Sequence, residues 1–373
     1  MDLAVTNDVF MLNVQHYLKN NSLDDLAQEF GVKVSTYEDR AVLNYSMIDS
    51  PRFHPVCDEC RGLILSLDGL DILSRSFDRF YNYGESTEHK GIDFNTLVAM
   101  DKEDGSLINV YHDGIRWNAA SRKLAFAEGN TDSGSIFFDL FCQALNCEIQ
   151  QAFSYLPWEN TYIFELCSRQ NRIVKRYDAP RAYLLAARDK YTGEYAGVDK
   201  TAEMSRIMAS QGASVLLPGT YRFSSLAEIM DAMKELDTLD EGYVCVDEAT
   251  GLRLKIKNPA YLAVFHLREN GSISPKRIVN LIFMNDHEEY LTYFEEDRKY
   301  FQPYILAYQR LMANIRENYA RFKDIENQKE YALSVKDLAV KDILFQLRRG
   351  RSIEDVFDSL FEHKKIELIE AFL

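Results

Sequence analysis

The sequence predicts an α+β protein: a first domain over residues 1–262 built on antiparallel sheets, then an all-α C-terminal domain over residues 263–373. Three observations predict it. Between about residues 60 and 258, short apolar runs (Leu63-Ile64-Leu65, Leu107-Ile108-Asn109-Val110-Tyr111, Thr161-Tyr162-Ile163-Phe164) are separated by turn signals. From Pro275 onward, apolar residues recur at helical spacing: Ile278, Leu281 and Ile282 fall on one face, as do Ile305, Tyr308, Leu311 and Met312 later on. A chain of 373 residues, 46% hydrophobic and 12% aromatic, is also long enough to bury one large core and a smaller second one.

In chain order, the first sixty residues carry a helix-like stretch at Asn21-Ser22-Leu23-Asp24-Asp25-Leu26-Ala27, then a mixed segment ending at Pro51 and Pro55, all assigned to the first domain. Asp113-Gly114 is a hairpin signal after the second apolar run. Helices are expected near 133–151 and 201–211. Glu241-Gly242-Tyr243-Val244-Cys245-Val246 reads as a strand joined through the turn residues 247–251 to a second one. In that second strand, alternation puts Arg253, Lys255 and Lys257 on one face and Leu252, Leu254 and Ile256 on the other. Near the end, Ser352 and Asp355 resemble a capping box ahead of Val356, Leu360 and Phe361.

Composition narrows the function. No run approaches the ~18 apolar residues of a membrane span, and the first thirty residues lack the pattern of a signal peptide, so an intracellular, cytoplasmic protein without a membrane partner is expected. The six cysteines, at 57, 60, 142, 147, 167 and 245, are too sparse for a disulfide framework and should be free thiols. His54, Cys57 and Cys60 have a suggestive spacing, but a structural zinc needs a fourth ligand and no second pair follows. A net charge of -15 excludes indiscriminate coating of nucleic acid. Cations bunch at Arg169, Arg172, Lys175 and Arg176, at Arg253, Lys255 and Lys257, and at Arg348, Arg349 and Arg351, so nucleic-acid contact should be confined to a groove.

The chemistry centres on Lys102-Glu103-Asp104-Gly105-Ser106, directly before an apolar strand, where the backbone can turn at Gly105 and expose the lysine as a nucleophile. A lysine attacks phosphorus only when neutral, so Lys255, Lys257 and a divalent metal are expected to lower its pKa from about 10.4. Glu241, at the start of its strand, can face the lysines of the neighbouring strand. That supplies a carboxylate for a hard cation and ammonium groups for phosphate oxygens, as metal-assisted phosphoryl transfer requires.

The ordered set Lys102-x-Asp104-Gly105-Ser106, Phe164-Glu165, Glu241-Gly242 and Lys255-x-Lys257 resembles the covalent nucleotidyltransferase superfamily of ATP-dependent ligases and capping enzymes. Glu59-Cys60-Arg61-Gly62, the segment Ser74 to Asn82, and Asn171-Arg172-Ile173-Val174 are similar to the RNA ligase 1 family, typified by the tRNA-repair ligase of T-even phages, over about residues 57–262. The helical tail matches that family more loosely. The resemblance implies an adenylation domain at residues 1–262 and an ATP-dependent RNA ligase that joins 5′-phosphate and 3′-hydroxyl RNA ends through AMP carried on Lys102, in RNA or tRNA repair. It places Lys255 and Lys257 on the α-phosphate as catalytic partners of Lys102, and Arg61 and Arg79 on the outer phosphates of ATP. Glu165 would hold the ribose, Leu185 and Val244 would sandwich adenine, and Glu103 and Lys123 would complete the nucleotide site. Glu241 would bind both nucleotide and metal (Mg2+, with Mn2+ as an alternative), with Tyr261 and Asp286 in the metal's outer shell. The implied partners are single-stranded RNA ends, cleaved tRNA among them, for a monomer in the cytoplasm, that of the host if the source is viral.

Departures from the family pattern are Arg79 where lysine is usual, Ser76 in place of a common proline, and Lys123 without its following glycine. Alternatives stay open at this point. Lys255 and Lys257 could be the wet face of an edge strand, and Glu165 could be a buried partner of Arg172. A DNA ligase or a capping guanylyltransferase would use the same lysine chemistry, and a non-catalytic RNA-binding protein could keep the pocket without turnover.

Overall fold

The computed structural model describes residues 11–46, 50–83, 92–131, 133–258, 261, 273–284, 287, 291, 295–351 and 353–373. The chain divides into two compact units, Met1–Leu262 and Ala263–Leu373. Among the described residues no helix is long and apolar enough to cross a membrane.

The first unit holds three four-stranded sheets, with antiparallel pairing throughout their ladders. Strands β1 (Lys33–Thr36), β2 (Arg40–Asn44), β3 (Arg61–Ser66) and β4 (Ile72–Ser74) form one sheet in sequence order. Helices α1 (Asn13–Leu18), α2 (Leu23–Phe30) and α3 (Pro55–Glu59) accompany it, and Leu12, Leu26, Leu43, Leu63 and Leu65 fill the shared core. α2 forms where expected because Ser22 and Asp25 make a reciprocal capping box and Gly31, at φ 62°, ends it. The segment read as mixed resolves into β1 and β2, strands too short to announce themselves by alternation.

A second sheet runs β7 (Trp117–Ser121), β6 (Ser106–His112), β8 (Asn160–Cys167), β9 (Arg181–Asp189). The hairpin at Asp113-Gly114 joins β6 to β7, with Asp113 Oδ1 accepting from the amides of Ile115 and Arg116. Behind this sheet lie α4 (Phe137–Leu145), α5 (Ile149–Ala152) and α6 (Val198–Ser210), sharing a core with Phe141, Phe153, Tyr162, Phe164 and Met208. The helix expected over 133–151 is therefore two helices, broken where Asn146 takes a left-handed φ of 51°.

The third sheet runs β10 (Thr220–Tyr221), β5 (Leu97–Asp101), β11 (Gly242–Asp247), β12 (Arg253–Lys257), backed by α7 (Leu226–Ala232). In β12, Leu254 and Ile256 are buried while Arg253, Lys255 and Lys257 lie on the other, half-buried face, as the alternation required.

The second unit is helical in its described residues: α8 (Pro275–Phe283), α9 (Arg298–Phe322), α10 (Gln328–Val335), α11 (Lys341–Arg348), α12 (Ile353–Asp358) and α13 (Glu362–Glu370). Ser274 and Asn327 cap α8 and α10 through their side chains. Val279, Leu311, Ile315, Tyr331, Leu344 and Ile369 form the buried centre. The capping box expected at Ser352 lies outside the described residues.

Candidate active site

An open cleft of about 580 Å³ faces both β5-β11-β12 and β6-β8-β9. Its walls are Met100, Val244 and Val246 from one sheet and Leu107 and Leu185 from the other. Its polar groups are Arg61, Asp101, Lys102, Glu103, Glu165, Arg253 and Lys255.

Two glycines allow the arrangement. Gly105 lies so close to β8 that a Cβ would stand 2.3 Å from the Leu166 carbonyl oxygen. Gly242 has φ 117°, and a Cβ there would stand 2.3 Å from the Ile256 carbonyl oxygen. Its own carbonyl accepts the Lys102 amide at 2.9 Å, which fixes the nucleophile candidate beside Glu241. Asp104, only 2% exposed, locks the intervening turn: one oxygen accepts from the amides of Val174 and Lys175 at 2.8 Å each, the other from the Tyr261 hydroxyl at 3.0 Å.

Lys102 Nζ donates to Glu241 Oε2 at 2.5 Å, and Lys257 Nζ lies 3.3 Å from the other oxygen of the same carboxylate. Lys255 Nζ instead donates to the Phe80 carbonyl at 3.0 Å, over the Phe80 ring. The expectation that cations depress Lys102 is corrected here. Burial acts downward, but Glu241, Glu165 and Asp104 together outweigh it and hold the ammonium above the ordinary lysine value. Nor is Lys102 on an exposed loop; 21% of its side chain is accessible, within the cleft. The depressed lysine is Lys255, held down to about 6 by burial and then by Arg61, Lys102 and Lys257.

Glu165 is pushed up to about 8, chiefly by burial. It makes no ion pair with Arg172, whose Nε donates to the Val174 carbonyl instead. Glu103 accepts from the Tyr177 hydroxyl at 3.0 Å, and burial raises it too. Arg61 reaches the cleft, its guanidinium 4.8 Å from the Phe80 centroid.

Not every candidate is brought together. Arg79 is 8% exposed, stacks 4.2 Å from the Tyr45 centroid and is not among the cleft's lining residues. Lys123 is exposed; its neighbour Arg122 turns inward over Tyr45 at 4.5 Å and donates to Asn44 at 2.8 Å. Tyr261 is buried with its hydroxyl on Asp104, and Asp286 lies outside the described residues. Arg253, Asp101 and Phe77 line the cleft without having been singled out individually; the period of β12 was the available signal for the first. Lys175 pairs with Asp240 at 2.6 Å. Cys57 and Cys60 are buried free thiols, and no three His, Cys, Asp or Glu side chains among the described residues gather as a metal-holding group.

The model of the RNA ligase family matches residues 59–261, more than half of the chain and the whole stretch that carries this cleft. The chain belongs to the RNA ligase 1 family. Among this family member's relatives is a protein of Autographa californica nuclear polyhedrosis virus named as a bifunctional polynucleotide kinase/RNA ligase, 32% identical over 97% of this chain and 54% of its own length. An RNA ligase of Rhodothermus phage RM378 is 23% identical over 62% of this chain and 65% of its own. The chain thus spans about half to two thirds of the length of these relatives. Among solved structures, an archaeal ATP-dependent RNA ligase aligns at a TM-score of 0.48 with 16% identity, covering 91% of this chain and 82% of that one.

Proposed function

We propose that this chain is an ATP-dependent RNA ligase, that Met1–Leu262 is its adenylation domain, and that Lys102 carries AMP between ATP and RNA. The observation that carries the reading is one cleft holding Lys102 and Lys255, two apolar walls and the Glu165 carboxyl, which has no hydrogen-bond or ion-pair partner among the described residues, with Glu241 bound to Lys102. Val244 and Leu185 stand on its opposite walls for a purine, and the Glu165 carboxyl can exchange hydrogen bonds with ribose hydroxyls. Lys255 and Arg61 supply positive charge for phosphates.

In the first step Lys102 gives up a proton, for which Glu241 Oε2 is the nearest acceptor, and neutral Nζ attacks the α-phosphorus. The Nζ–P bond forms, the bond to the β-phosphate oxygen breaks, and pyrophosphate leaves. An RNA 5′-phosphate oxygen then attacks the same phosphorus, releasing the lysine amine. Finally an RNA 3′-hydroxyl attacks the 5′-phosphorus and AMP leaves. Lys255, held down to about 6 in the free cleft, can take up a proton as phosphate enters and strengthen its hold as charge develops. The donor set fits Mg2+ or Mn2+ only in part: Glu241 offers one carboxylate, and a hard cation of this kind completes its shell with water and substrate phosphates. When bound it would neutralise phosphate charge and compete with the two ammonium groups for Glu241.

The acceptor is single-stranded RNA with a 5′-phosphate, in RNA repair that includes cleaved tRNA, with the helical unit aiding recognition. Supplying 5′-labelled single-stranded RNA, ATP and Mg2+ should convert the label into joined or circular product resistant to phosphatase. Preference for 5′-phosphorylated DNA would favour a DNA ligase, and transfer of GMP to diphosphate-ended RNA a capping enzyme; either would overturn the reading.

A further inference from the structure

Arg253 stands two residues before Lys255 in β12, so the pleat turns both to the cleft, about 7 Å apart along the strand. Its guanidinium lies 3.7 Å from the Tyr195 centroid and 4.9 Å from that of Phe77. Arg61 approaches Phe77 as well, at 5.8 Å. Neither arginine has a carboxylate within ion-pair distance among the described residues. Arg253 donates to the Gly251 carbonyl at 3.2 Å, Arg61 reaches the Asp78 carbonyl at 3.5 Å, and the buried Nε of Arg61 has no partner. The Asp78 carboxylate is engaged by Arg188, at 2.9 and 2.6 Å.

Buried charges are ordinarily paired, and ring faces leave the in-plane N–H donors of a guanidinium unused. Half-buried Arg253 is held below the ordinary arginine value by burial, with Arg188 and Arg61 adding to it. Two such guanidiniums beside Lys255 match a polyanion better than a single phosphate, since planar forks bind phosphate oxygens in pairs.

We propose that Arg253, together with Arg61 across the Phe77 ring, binds the outer phosphates of the nucleotide triphosphate and the pyrophosphate leaving group. This rests on the ATP reading above and adds a binding residue to it. The site serves only the adenylation step, because RNA-adenylate carries no pyrophosphate to be held. Arg253→Ala should therefore raise KM for ATP at least tenfold and weaken pyrophosphate inhibition in parallel, while joining of pre-adenylated RNA without ATP stays within twofold of wild type. Arg253→Gln, which keeps the stem on Tyr195 and Phe77 while removing the charge, should behave the same way and guards against a folding defect.

Calorimetry with inorganic pyrophosphate reads the site without turnover: the wild-type chain should bind it and both variants at least tenfold more weakly. Equal losses in ATP-dependent and pre-adenylated joining, an unchanged KM for ATP, or no pyrophosphate binding by wild type would overturn the assignment. A wild-type chain that binds pyrophosphate through Arg253 yet never labels itself with ATP would sink the ligase reading and leave this site standing.

Discussion

Lys102 and Lys255 are both half-buried lysines of one cleft, yet they are pushed in opposite directions because only Lys102 is paired with a carboxylate. Glu241 keeps Lys102 charged, whereas Lys255 sees three cations and a carbonyl, so near neutral pH it is mostly a free amine. This has a consequence for stability. With a folded value of about 6 against 10.5, the unfolded chain holds an extra proton between those values, so the contribution of Lys255 to stability rises with pH across that window. Glu165, raised from 4.5 to about 8, contributes the opposite slope between those values. Lys255→Met should therefore raise the melting temperature most at pH 6 to 6.5, and its advantage should shrink steadily toward pH 9. Melts showing a constant or widening gap would mean Lys255 is charged in the free protein. The same variant should lose ligase activity, a trade of activity for stability common at sites built for a ligand.

At the scale of elements, β11 and the turn after β5 set the distance between Lys102 and Glu241, and Gly242 is where they touch. Gly114, at the tip of the β6–β7 hairpin, also has a positive φ, of 97°, but a Cβ there meets open space. Gly114→Ala should cost about 1 kcal/mol from backbone strain alone. Gly242→Ala adds a backbone collision and should cost roughly 1–3 kcal/mol more, with loss of self-adenylation. Urea titrations of the two variants check this, and equal costs would contradict the packing described. The elements also show what a sequence can disclose. Lys255 and Lys257 were legible because a strand's period of two decides which way a side chain faces, whatever else surrounds it. β1 and β2 were not, at four and five residues and with β2 buried along its whole length, so no alternation marks it. Lys123 and Arg122 sit in a turn, where no period operates and tertiary packing alone decided that Arg122 turns inward. Arg79 carried the right charge in the right segment, but stacking on Tyr45 holds it away from the cleft lining.

Across the whole molecule, each unit holds hydrophobic cores of its own among the described residues: three large ones in Met1–Leu262 and one in Ala263–Leu373. A piece ending at Leu262 is expected to fold and to label itself with AMP, while joining RNA less well if the helical unit contributes to RNA recognition. A piece that is unfolded by circular dichroism would show that the units stabilise one another. The net charge of -15 agrees with the proposal that phosphate is bound by a few cations gathered in one cleft. The most direct test is the fate of the α-phosphate. The full chain, incubated with α-labelled ATP and Mg2+, should become labelled, gain the mass of one AMP, and yield that mass on the peptide containing Lys102. Chelation of the metal or Lys102→Ala should abolish the label while the melting transition persists. AMP found on another residue, label from GTP in place of ATP, or full labelling of the Lys102→Ala chain would contradict Lys102 as the nucleophile.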